Sequence, residues 1–124
     1  MNIIELLGLK TTLLAAEKTI VEVDVTDKLM QPFGIVHGGI NALLAETAAS
    51  LGANEANDDS QIPVGVDIQV VHLKAVSQGH LIATATPISV GRTLQVWDVK
   101  IRESIKNELT STATVTLINK SRPV

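Results

Sequence analysis

Between Gln31 and Gly52 the chain reads QPFGIVHGGINALLAETAASLG, a stretch in which several chemically useful groups fall at short, regular spacings. Gly38 and Gly39 open an apolar helical pattern, so their backbone N–H groups point outward with the positive end of the helix dipole behind them. That arrangement suits an anion or a developing oxyanion. Glu46 lies two turns further along, Ser50 one turn beyond it, and His37 and Gln31 flank the glycines with hydrogen-bonding groups. Taking a carboxylate out of water is costly unless it is paired, neutralised or used. The structural alternative for Glu46 is a glutamate at the rim of the core, reaching solvent or paired with a lysine.

These groups need an element to hold them. Ile40, Leu43, Leu44, Thr47, Ala48 and Leu51 recur with the 3.6-residue period of one helix face, which predicts that this face is buried. Ala42, Ala45, Ala49 and Ala53 occupy the other side with Glu46, as expected of a central helix apolar all round. Pro32 and Gly34 mark a turn before it, and the glycine pair is expected to let the backbone bend sharply.

Around this helix the pattern changes to period two. Val21, Val23 and Val25 alternate with polar residues between Lys18 and Thr26. Asn54 to Pro63 reads as an exposed loop, and Val64, Val66, Ile68 and Val70 then alternate through a strand ending near His72 and Lys74. A third strand spans His80 to Val90, where Pro87 predicts a bulge or an edge. Gly91 and Arg92 turn the chain into a strand from Thr93 to Ser104. Lys106 to Glu108 form a hairpin loop before a last strand carrying Ala113, Val115 and Leu117. Asn2 to Lys10 is expected to supply one or two helical turns. The order, strand, helix, then four strands with short connections, predicts an α+β fold with an antiparallel sheet packed on one helix.

Length and composition suit a single domain over residues 1–124, with 45% hydrophobic residues and a formal net charge of −3. The absence of cysteine excludes disulfides and thiolate chemistry, and three scattered histidines give no metal-ligand spacing. No basic cluster invites nucleic acid. No apolar run is long enough for a membrane span and no secretory signal is evident, so a soluble, cytoplasmic protein is expected.

Gly34, His37, Gly38, Gly39 and Glu46, with Gln31 upstream and Ser50 downstream, resemble the motif of the hotdog-fold acyl-CoA thioesterases. The branch is the one holding the phenylacetate-pathway, Arthrobacter-type 4-hydroxybenzoyl-CoA and 1,4-dihydroxy-2-naphthoyl-CoA thioesterases. The resemblance implies a curved antiparallel sheet wrapped around a long central helix and hydrolysis of an acyl-CoA to free acid and coenzyme A. It implies the Gly38 N–H as oxyanion donor, with Gln31 nearby and His37 holding the loop or contacting the thioester. Glu46 would be nucleophile or general base, with Ser50 orienting water. No cofactor is implied, since coenzyme A is part of the substrate. The site would lie between subunits of a homo-oligomer, a dimer or a dimer of dimers, and the small-residue side of the helix would permit that close approach.

By the same resemblance Lys74 and Arg92, with His72, Gly91 and Gly39 beside the path, are candidates for contact with coenzyme A, whose phosphates call for cations. Ordinary surface roles are the alternative for that lysine and arginine. Gln95 to Trp97 resemble the dihydroxynaphthoyl-CoA branch and favour a bulky or aromatic acyl group. Two other activities fit the same fold: a dehydratase or hydratase, whose histidine motif is lacking, and a non-catalytic acyl-CoA-binding module.

Overall fold

The computed structural model describes residues 1–123. One turn of helix, α1 (Ile3–Leu7), is capped by Asn2, whose side chain accepts from Glu5 N–H, and is closed by the left-handed Gly8. Strands β1 (Lys10–Leu13) and β2 (Thr19–Asp24) follow, then the long helix α2 (Gly38–Ala56). Four strands complete the chain: β3 (Gln61–His72), β4 (His80–Val90), β5 (Leu94–Glu103) and β6 (Leu109–Ser121). All six pair antiparallel in the order β1-β2-β4-β5-β6-β3, an open sheet with α2 across one face. This is the α+β hotdog arrangement expected. Among the described residues no helix is long and apolar enough to cross a membrane.

The inward positions of β4, β5 and β6 obey the alternation: Leu81, Ala83, Ala85, Trp97, Val99, Ile101, Val115 and Leu117 are buried. Pro87 does sit at a bulge, where β4 loses register with β5. Trp97 fits only because Gly52 lacks a side chain, since a Cβ there would lie 2.7 Å from the indole ring. A glycine inside a helix costs about 1 kcal/mol relative to alanine, and burial of the largest side chain in the core offsets it.

Several expectations need correction. β1 was not expected, because KTTL has no apolar alternation and all four of its residues are exposed. The loop expected from Asn54 to Pro63 shrinks to residues 57–60, because α2 runs on to Ala56 and β3 starts at Gln61. On α2 the fully buried residues include Ala45, Ala48, Ala49 and Ala53, whereas Ile40, Leu43 and Leu51 are only partly covered. The alanines thus let α2 lie close on its own sheet, and Ala45, Ala49 and Ala53 are not a surface for a second subunit. In β3 a bulge between Gly65 and Asp67 inverts the alternation. Gly65 lies opposite the buried Leu117, while Val64 and Val66 are exposed.

Candidate active site

The loop before α2 is built to deliver Gly38. Gly34 takes the left-handed conformation (φ 79°), and its N–H donates to Gln31 O at 3.1 Å. Gln31 Oε1 accepts from Phe33 N–H, which closes the turn. Val36 N–H donates to Val76 O and His37 N–H to Leu29 O, both at 2.8 Å, tying the loop to its neighbours. His37 then caps the helix: its Nδ1 accepts from Gly39 N–H at 2.9 Å, so that its remaining proton lies on Nε2.

Gly38 and Gly39 are not bent, contrary to expectation; both are helical and neither has positive φ. They are glycines for want of space. A Cβ on Gly38 would lie 2.9 Å from His72 Nε2, and one on Gly39 3.0 Å from His37 Nδ1. The Gly38 N–H finds no acceptor among the described residues, which leaves it free for a ligand. His72 stands over it from β3. Its Nδ1 lies 3.4 Å from both Asn41 Nδ2 and Ser111 Oγ. Its Nε2 faces Gly38. Asn41 Oδ1 is buried without a hydrogen-bond partner.

Gln31, Val36, Gly38, Asn41, His72 and Lys74 line one cavity of about 340 Å³. Lys74 also pairs with Glu108, Nζ to Oε2 at 2.7 Å, and this hydrogen bond holds the Glu108 carboxyl below its ordinary pKa.

Glu46 and Ser50 do not join that cavity. They lie half-buried one turn apart, and the Glu46 carboxylate rests against the backbone of Gly65 on β3. Eight residues of helix separate Gly38 from Glu46, about 12 Å of axial rise, which a glutamate side chain does not span. Gly91 and Arg92 lie farther still. Asn119 Nδ2 donates to both of their carbonyls, at 3.2 and 3.1 Å. Asn119 Oδ1 accepts from Gln95 Nε2 and from Asn57 Nδ2 beside the C-terminus of α2. One chain therefore gathers Gln31, His37, Gly38, Gly39, His72 and Lys74 at the start of α2 and leaves Glu46 and Ser50 midway. Gly91 and Arg92 stand at the far end.

Trp97 lines none of this. It is fully buried and donates from Nε1 to Gln95 Oε1 at 2.9 Å, so Gln95 and Trp97 belong to the core. Sequence reasoning missed Asn41 and Gly65. Asn41 stands one turn after His37 as the polar residue in an apolar run, and Gly65 interrupts a valine alternation, a signal of a bulge or close approach.

The Thioesterase superfamily matches residues 33–110 of this chain. The 1,4-dihydroxy-2-naphthoyl-CoA hydrolase of Listeria monocytogenes is 34% identical over 122 residues, covering 98% of this chain and 99% of that protein. The proofreading thioesterase EntH of Cronobacter turicensis is 36% identical over 100 residues, 81% of this chain and 73% of that one. Among solved structures, thioesterase HI1161 of Haemophilus influenzae superposes with a TM-score of 0.90 at 35% identity, covering 95% of this chain and 82% of that one. With the antiparallel sheet, the single long helix and the HGG start of that helix, these likenesses place the chain in the thioesterase superfamily, as a thioester hydrolase of the hotdog fold.

Proposed function

We propose that this protein hydrolyses an acyl-CoA to the free acid and coenzyme A in a site assembled from two copies of the chain. The observation that carries the proposal is the separation on α2 between the unpartnered Gly38 N–H and the Glu46 carboxylate. A thioester carbonyl needs its oxygen polarised and its carbon attacked within a few ångströms, and one helix cannot do both. A second copy, related by a twofold axis, can bring its Glu46 and Ser50 to the Gly38 and His72 of the first.

In that site the Gly38 N–H takes the carbonyl oxygen, with His72 Nε2 beside it, Gln31 close by and the His37 cap holding the loop. Glu46 acts in one of two ways. As nucleophile, its oxygen bonds to the carbonyl carbon, the C–S bond breaks, the thiolate of coenzyme A leaves with the electron pair, and water then hydrolyses the acyl-enzyme anhydride. As general base, it takes a proton from a water oriented by Ser50, whose oxygen adds to the carbon before the C–S bond breaks. The thiolate is a good leaving group in both. Lys74, and Arg92 from wherever assembly places it with Gly91, face the phosphates. Coenzyme A as a substrate also puts the work of this protein in the cytoplasm.

Release of free thiol from a panel of acyl-CoAs, with an aromatic acyl-CoA first as the name of the Listeria relative suggests, tests the proposal. Turnover of at least one acyl-CoA is expected. Binding of acyl-CoAs without thiol release would make the protein a non-catalytic binding module.

A further inference from the structure

We infer that Gly65 is a positioning residue for Glu46: the side chain it lacks is the space in which the carboxylate lies. This rests on the proposed role of Glu46. A Cβ on Gly65 would stand 2.7 Å from Glu46 Oε2, 3.1 Å from Cδ and 3.6 Å from Cγ. The first contact is closer than carbon and oxygen tolerate. Two features of β3 arrange it. The bulge between Gly65 and Asp67 turns residue 65 toward α2, opposite Leu117, and the next inward residues, Ile68 and Val70, are branched and pack on the core. Only at Gly65 does this part of the inward face of β3 offer a gap.

The backbone does not explain the glycine. Its φ is not in the left-handed region, and glycine inside a strand is unfavourable by roughly 0.5–1 kcal/mol relative to alanine. The neighbour that must yield to a methyl group is the tip of a flexible side chain, which can swing to another rotamer at little cost. An added methyl group therefore spares the fold and moves the carboxylate. Catalytic groups displaced by about 1 Å can lose about 10²-fold in rate, so the consequence falls on kcat.

The test is Gly65→Ala in two backgrounds. With Glu46 present, kcat should fall by about 10- to 100-fold, with KM for the acyl-CoA changed less than about threefold. The midpoint of thermal unfolding should stay within a few degrees. In Glu46→Asp enzyme the carboxyl carbon retreats to about the place of Cγ and its oxygens reach no further than that of Cδ, so the 2.7 Å contact disappears. There the same substitution should lower the residual kcat by less than about threefold. Equal fractional losses in the two backgrounds, an unchanged kcat in the first, or a large fall in thermal stability would each overturn the inference. Glu46→Gln reports separately on the reading beneath it: if Glu46→Gln is inactive and Gly65→Ala is fully active, only the positioning role fails.

Discussion

His72 Nε2 lies 2.9 Å from the point that a Cβ on Gly38 would occupy, so the imidazole packs directly on the first residue of α2. Gly38→Ala must push that ring aside, and alanine suits a helix better than glycine, so the protein should stay folded and assembled. Loss of a well-placed oxyanion donor costs ~10²–10³ in turnover. A fall in kcat of at least about tenfold is expected, with affinity for free coenzyme A little changed. Steady-state kinetics beside a thermal melt checks this, and an unchanged kcat removes Gly38 from the site.

Glu46→Gln keeps the shape and removes the charge. Turnover should drop by ~10²–10⁴ while sedimentation still shows the wild-type assembly; a fully active variant would make Glu46 structural. If, as proposed, the site takes Gly38 and Glu46 from different chains, unfolding and refolding Gly38→Ala and Glu46→Gln proteins together should rebuild some intact sites. With random pairing, about a quarter of wild-type activity returns. No gain over the separate variants, or an active 13.2 kDa monomer, would rule out the shared site.

Gln95 sits at 0% exposure and satisfies four partners: its Nε2 reaches Ala53 O, Asn57 Oδ1 and Asn119 Oδ1, and its Oε1 accepts from Trp97. Gln95→Leu strands those groups. A buried group left without its partner costs about 1–3 kcal/mol, so denaturant unfolding should show a loss of about 2–4 kcal/mol with several groups affected. Since this network lies at the end of α2 away from Gly38, kcat of the folded fraction should hold. A Gln95→Leu protein as stable as wild type would refute the structural role.

Glu108 competes for Lys74. If that lysine meets the phosphates of coenzyme A, Glu108→Gln should tighten coenzyme A binding by up to about fivefold, the scale of an exposed ion pair, and Lys74→Ala should weaken it. Titration calorimetry distinguishes these outcomes from no change. The Glu108 carboxyl is held below its ordinary value of 4.5. The pair's contribution is therefore present above that value and fades as pH falls through the lowered pKa.

The sheet was legible wherever one face is buried and the other wet. Trp97, Val99 and Ile101 against Asp98 and Lys100 show why: alternation and burial coincide there. β1 was illegible because its residues bury nothing. β3 was misread before Ile68 because one bulged residue shifts the phase of every position ahead of it, and no local pattern marks the shift except Gly65 itself. The chemistry of Gly38, His37 and Glu46 stood out from type and spacing. Their grouping did not, since it depends on how far a helix carries each residue and on which strand lies beneath it.

Both ends of α2 are anchored, one by the His37 cap and the backbone hydrogen bonds of Val36 to Val76 and of His37 to Leu29, the other by Gln95, Asn57 and Asn119. The rigid body between them carries Gly38, Asn41, Glu46 and Ser50 at fixed mutual offsets. A ligand arriving at such a site orders little that folding has not already ordered, so its affinity is not diminished by loss of chain entropy. Binding should thus show the heat-capacity change of the surface it covers, without the larger one of coupled folding.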